Sequence, residues 1–321
     1  MLAGTLFALA AGLMWGLVFV GPLLLPEYPA TLQSFGRYLA FGLITLPIAW
    51  LDRAALRQLC RADWLAALEL ALVGNIIYYL CLASAIQRAG GPLPTMIIGT
   101  LPVLIALVSN QRDAARDGRL PWLKLAPSLA LIGAGITLVN QVELQALRAQ
   151  PGADLGRYAS GAAFAIGALL CWTWYPLRNA DWLRAHPGRS PRTWATAQGL
   201  ATLPMALLGY GLTWALGAAG PDFAMPFGPR PADFVWLMAA IGLFASWCGT
   251  LCWNEASQRL PTTLVGQLIV FETLSALSYA FLLRGVWPAP ATLAGIVLLV
   301  AGVLAALRVK PEPLAAEGHA G

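Results

Sequence analysis

The sequence predicts an all-α integral membrane protein with ten transmembrane helices arranged as two inverted five-helix repeats. Three observations lead there. Of 321 residues, 59% are hydrophobic and only 11% charged, with a mean hydropathy of +0.68, whereas an ordinary soluble domain has about 25% charged residues. The apolar stretches run to about 20 residues without alternation, the length of a bilayer-crossing helix rather than of a barrel strand. Blocks in the first half also recur in the second at nearly constant offsets.

The first span, Leu2–Leu24, lacks a basic leading region and a small-residue cleavage signal, so it is expected to be a retained helix. The following spans are expected over Thr31–Leu51, Trp64–Arg88, Pro92–Asn110, Pro121–Asn140, Tyr158–Leu183, Arg192–Gly217, Ala232–Arg259, Pro261–Leu283 and Pro290–Leu307. Pro22, Pro47, Pro102, Pro127, Pro176 and Pro204 fall inside them, breaks that a bundle tolerates where neighbours satisfy the freed carbonyls. With the N-terminus in the cytoplasm, 14 Lys and Arg lie in inside loops and five outside, with Arg37 inside the second span. That split predicts both termini cytoplasmic.

The net charge of +5 is therefore a topology signal, and no nucleic-acid partner is expected. Cys60, Cys81, Cys171, Cys248 and Cys252 lie in or beside spans, and the two histidines, His186 and His319, lie in a loop and the tail. The cysteines read as small apolar fillers, and neither a metal nor another cofactor is expected. Walker, G-x-S-x-G and H-E-x-x-H motifs are absent, which argues against an enzyme and against ATP-driven chemistry.

The repeat pairs Gly4, Phe7, Ala8 and Trp15 with Gly161, Phe164, Ala165 and Trp172 at an offset of 157. The third and eighth spans align at an offset of 171, with Ala85-Ile86-Gln87-Arg88 opposite Ala256-Ser257-Gln258-Arg259. The fifth and tenth share Ala134-Gly135 and Ala301-Gly302. An odd number of spans per half turns the second half upside down, a construction typical of secondary transporters with a midplane site. The expected organisation is a first repeat over 1–141, a periplasmic connector over 142–157, a second repeat over 158–308 and a cytoplasmic tail over 309–321.

Polar groups within the spans mark the candidate site, because lipid leaves such groups without partners. Trp15, Asn75, Tyr78, Tyr79, Thr100, Trp172, Trp247, Thr250, Asn254 and Gln267 are the expected solute contacts. Trp247, Thr250, Asn254 and Gln258 follow 3–4 spacing and so share one helix face. Together they describe aromatic walls with amide hydrogen-bonders and little fixed charge, suited to a small amphiphilic or zwitterionic solute. Glu272 lies mid-span, where an ionised side chain costs about 2.5–3.5 kcal/mol. It reads as a proton-coupling or cation-contacting group, or else as a carboxyl bonded to a neighbour such as Thr100. Glu255 and Arg259, four residues apart, are expected to form an ion pair or inner gate. Glu69 reads as an interfacial carboxylate paired with Arg61, and Arg37 as a tether that snorkels to the outer surface. Gly133, Gly135, Gly295 and Gly302 read as close helix packing.

The two five-span halves, the G-x10-W pattern of spans one and six and the Gln-Arg corners resemble the drug/metabolite transporter superfamily, in its EamA-type ten-helix branch. Thr100-Leu101-Pro102 is similar to its Leu-x-Pro motif, and Phe271-Glu272-Thr273 to its Leu-Glu-Pro motif. Thr273 stands where the family has Pro. The Gly-Glu pair that often ends spans four and nine is missing, with Arg112–Arg119 and Arg284-Gly285 there instead. These departures leave subfamily and cargo open. The resemblance implies a secondary transporter of the bacterial inner membrane, and because ten spans suffice for a complete pathway a monomer is expected. It would export small metabolites such as aromatic amino acids by alternating access, with proton coupling through Glu272. A multidrug or cation exporter, an uncoupled facilitator, and a non-transporting sensor or assembly protein on the same scaffold remain as alternatives.

Overall fold

Where no water is available, the backbone must bond to itself, and a helix does so within one segment. The computed structural model describes residues 2–112, 121–149, 154–260, 268–285 and 287–309, and these are helical with short connections and no strand. We label the rods α1 (Leu2–Leu24), α2 (Ala30–Leu51), α3 (Arg61–Ala89), α4 (Pro92–Ile98 and Leu101–Arg112), α5 (Trp122–Arg148), α6 (Leu155–Ala185), α7 (Pro191–Ala215), α8 (Pro231–Arg259), α9 (Val270–Arg284) and α10 (Pro290–Arg308). Five of them, α1, α2, α3, α5 and α8, are long and apolar enough by themselves to cross a membrane.

Several bounds differ from those expected. α3 starts at Arg61, because the Asp63 carboxylate accepts from the Cys60 amide at 2.9 Å and caps a polar first turn. Cys60 is thus an exposed capping position rather than an apolar filler. α5 continues through Arg148, into the stretch expected as connector, and α6 begins at Leu155 behind the Asp154 cap.

The irregular turns have identifiable causes. Pro22 cannot donate to the Val18 carbonyl; the Tyr79 hydroxyl donates to it instead at 3.0 Å, and a 3₁₀ turn runs over Leu17–Phe19. Pro102 breaks α4 at Gly99–Thr100, where the Thr100 hydroxyl donates to the Ile97 carbonyl at 2.7 Å. α3 and α8 each contain a π-helical turn, Ala71–Ile77 and Gly242–Cys248, at the same offset of 171 that relates their sequences.

α1 packs on α8 and α9, whereas α6 packs on α3 and both pieces of α4; α2 pairs with α7 and α5 with α10. A Cβ at Gly4 would lie 2.7 Å from Leu260, and one at Gly161 2.7 Å from Ala89. At the α5–α10 contact, a Cβ on Gly135 would fall 2.6 Å from the Gly295 carbonyl oxygen, and one on Gly302 2.8 Å from the Ser128 carbonyl oxygen. Gly133 is different: nothing lies within 4 Å of its Cβ position, so it is no part of the close packing. Gly135→Ala should therefore lower stability by about 1–3 kcal/mol through backbone displacement. Gly133→Ala should be neutral or stabilising by up to about 1 kcal/mol. Thermal unfolding of the two purified variants, side by side, checks both.

Candidate functional site

Five rings from four helices meet at the centre. Trp172 of α6 is stacked between Tyr78 of α3 (4.5 Å, 18°) and Tyr175 one turn further along α6 (5.1 Å, 8°). Trp15 of α1 meets Trp172 edge-on at 4.9 Å and Trp253 of α8 at 5.0 Å. Small residues admit these rings: a Cβ at Gly74 would run into Tyr175, and one at Gly249 would lie 2.7 Å from Trp15 Nε1. Trp15, Tyr78 and Trp172 were expected here. Tyr175 was not singled out, and Trp253 rather than Trp247 meets Trp15.

Glu272 sits in the first turn of α9 and is 1% exposed. Trp172 Nε1 donates to its Oε2 at 3.2 Å, while Oε1 has no partner among the described residues. The donor is thus an indole, and Thr100, whose hydroxyl faces its own helix, is not.

Arg37 does not snorkel. It is 4% exposed, with its guanidinium over the Tyr79 ring at 4.4 Å and the Tyr38 ring at 4.8 Å. Its Nε donates to Ser246 Oγ of α8 at 3.0 Å, which ties α2 to α8.

The amides anchor helices. Asn179 of α6 accepts at Oδ1 from Trp194 Nε1 (2.8 Å) and Gln198 Nε2 (3.1 Å) of α7, and donates to Asn254 Oδ1 of α8 (2.9 Å). Tyr175 donates to Gln198 Oε1 at 2.8 Å, beside buried Thr250. Asn75 donates to the Thr202 hydroxyl at 3.0 Å. Asn75 and Asn254 are therefore engaged by α7 and α6 rather than free to meet a solute. Asn179 and Gln198 were missed, although an amide within an apolar span is a signal. The Trp247 indole nitrogen is buried without a partner, and Gln267 lies outside the described residues.

Charged groups gather at the ends. Arg259 pairs with Glu255 as expected and also covers the Phe7 ring of α1 at 4.9 Å. Glu69 pairs with Arg178 of α6 at 3.4 Å, not with Arg61, and Arg112 reaches Asp181 at 2.8 Å. A cleft of about 230 Å³ opens there, lined by Glu69, Leu70, Arg178, Asp181, Trp182 and His186. At the opposite end Tyr28 is the hub. Its hydroxyl donates to the Phe227 carbonyl (2.7 Å) and accepts from the Arg230 amide (2.8 Å), and its carbonyl accepts from Gln33 and Gln87. Burial pushes the Tyr28 phenol above its usual range.

Asn179→Ala should strand Trp194, Gln198 and Asn254 together. Unsatisfied buried groups cost about 1–3 kcal/mol each, so chemical unfolding should show a loss of at least the lower figure.

The EamA-like transporter family matches residues 2–111. The inner membrane protein YtfF of Escherichia coli (strain K12) is 59% identical over 314 residues, which cover 97% of this chain and 97% of that protein. A solved crystal structure, titled only as that of a protein, superposes with a TM-score of 0.65 over 94% of this chain and 96% of its own at 18% identity, a likeness of fold alone. The aromatic and carboxylate centre thus stands in a membrane transporter, and the chain belongs to the EamA-like transporter family.

Proposed function

We propose that the protein is a secondary transporter of the bacterial inner membrane that exports small metabolites, aromatic amino acids among them, by alternating access. The inner-membrane assignment leans on the 59% identical relative of that description. Two inverted five-helix halves, 1–141 and 158–308, joined by a periplasmic connector over 142–157, would rock about the central rings, with both termini cytoplasmic and one chain sufficient.

The observation that carries this reading is Glu272, a carboxyl group buried among Trp172, Tyr78 and Trp15 with one oxygen on an indole N–H and the other unbonded. Such a group can exchange a proton for the ammonium of a solute, which is what coupling requires. The packing supports the two halves: α1 between α8 and α9 mirrors α6 between α3 and α4, and the π turns share one register. Two of the ion pairs that bridge the halves, Arg112–Asp181 and Glu69–Arg178, are one-third to one-half exposed. Such pairs hold by only about 0–1 kcal/mol each, so they can part at every cycle.

A second reading is favoured by the same rings. Aromatic faces around a carboxylate also suit an organic cation, and the protein would then be a cationic-compound exporter.

Counterflow in proteoliposomes across amino acids, cationic dyes and organic acids should reveal exchange of amino acids, accelerated by an imposed proton gradient. Glu272→Gln should lower the gradient-driven rate by about tenfold or more, equivalent to about 1.4 kcal/mol, and leave exchange insensitive to pH. Wild-type pH dependence in the Gln variant would sink the coupling role. Absence of exchange with every class would sink the transport reading.

A further inference from the structure

Four of the buried polar atoms without a partner among the described residues lie near the central rings. Arg37 Nη1, Tyr38 Oη, Tyr78 Oη and Glu272 Oε1 are all buried and unbonded. Arg37 lies over the Tyr38 and Tyr79 rings, and Tyr38 meets Tyr79 edge-on at 6.2 Å. Tyr78, the next residue on α3, stacks on Trp172, which holds Glu272. The Tyr78 hydroxyl is within electrostatic reach of both Arg37 and Glu272.

The two charges do not pair with each other. Glu272 packs its backbone against Gly12, whereas the Tyr79 hydroxyl beneath Arg37 bonds to Val18. Six residues of helix, about 9 Å, separate those two levels of α1. No carboxylate lies within ion-pair distance of Arg37 among the described residues. Ser246 and two tyrosine faces hold Arg37 in place, and a buried guanidinium with five N–H donors still needs further acceptors. Arg37 Nη1 has no acceptor and Glu272 Oε1 no donor among the described residues, and the Tyr78 hydroxyl lies within electrostatic reach of both groups.

We propose that Arg37 is an anion subsite of the transport site and receives the carboxylate of a small zwitterion whose ammonium is received by Glu272, beside the ring of Tyr78. This rests on the transport reading above and narrows its cargo to molecules that carry both charges. The forked guanidinium offers two parallel donors to a carboxylate, and the amine lies among aromatic faces and an acceptor oxygen.

The test compares ligands that differ only in charge. Purified protein in nanodiscs is titrated, with tryptophan fluorescence as readout, with L-phenylalanine, phenethylamine and hydrocinnamate. A parallel series of L-leucine, isoamylamine and isocaproate removes dependence on an aromatic side chain. Wild type should bind the zwitterion of at least one series about tenfold or more tighter than either singly charged partner. Arg37→Gln should lose that margin for zwitterion and acid while binding the amine unchanged, and Glu272→Gln should do the converse. Arg37→Lys, which keeps the charge without the fork, should restore part of the loss. A mere tether would weaken all three ligands together, so that pattern overturns the proposal, as does wild-type affinity for the zwitterion in Arg37→Gln. Equal binding of amine and zwitterion by wild type overturns it as well, with no variant needed, and leaves cation export standing. Failure of both series while other classes exchange in counterflow overturns the zwitterion subsite alone; failure of every class overturns the transport reading with it.

Discussion

A carboxyl group inside a membrane bundle has to be given a donor, and here the donor is one indole N–H. The 3.2 Å bond from Trp172 to Glu272 sets what surrounds it. Tyr78 and Tyr175 stack on Trp172 and Trp15 meets it at a steep angle, which holds that direction. The clamp in turn requires α3 and α6 to approach within glycine distance at Gly74, and α1 and α8 at Gly249. Tyr175 is itself fixed by Gln198, and Gln198 by Asn179, so the polar network of α6, α7 and α8 supports the carboxylate from behind. One buried acid thereby couples six helices, its own among them, since low dielectric makes a missing partner as expensive as a present one is strong.

Helicity and the place of Glu272 were legible in the sequence because both follow from the solvent: long apolar runs must be helices, and a lone acid within one stands out. Helix ends were less legible, since a polar first turn such as Arg61–Asp63 is helical but carries no apolar period. Arg37 was visible, but its surroundings were not. Seven residues from the start of α2 it could reach an interface; what holds it inside are Ser246 of α8 and Tyr79 of α3. Glycine pairs show the same limit. Gly133 and Gly135 are two residues apart, about 200° around the helix, so both cannot face α10, and sequence alone did not say which one does. The Asn179 network was hidden because it joins three helices at single residues and leaves no period.

The π turns explain the misreading of α8. Spacing of three and four assumes an unbroken α-helix, yet Trp247 lies within the widened turn Gly242–Cys248 and Trp253 beyond it. Each π turn accommodates an extra residue, and the faces before and after it no longer align. That brings Trp253 to Trp15 and leaves Trp247 aside, with its nitrogen unbonded. The π turn in α3 precedes Tyr78 and Tyr79 directly, so both helices place their irregular backbone next to the central rings. Such turns sacrifice regular hydrogen bonding, and they recur where function needs a side chain re-aimed.

Buried polar groups are not equally supplied along the bundle. At the ends several buried polar groups are well supplied: Asp52 accepts from Arg192 and Thr193, Asp63 from Cys60 and Trp182, and the Tyr28 hydroxyl both donates and accepts, while Gln33 Oε1, Ser34 Oγ and Thr196 Oγ1 have no partner among the described residues. At the centre Arg37, Tyr38, Tyr78 and Glu272 each keep an atom without a partner. Each such atom costs about 1–3 kcal/mol, and apolar replacements of similar size would remove the cost. A bundle serving only as a scaffold gains nothing from that arrangement. A carrier does, because groups left open in the protein are closed by its solute, and a solute that fits them carries both a donor and an acceptor.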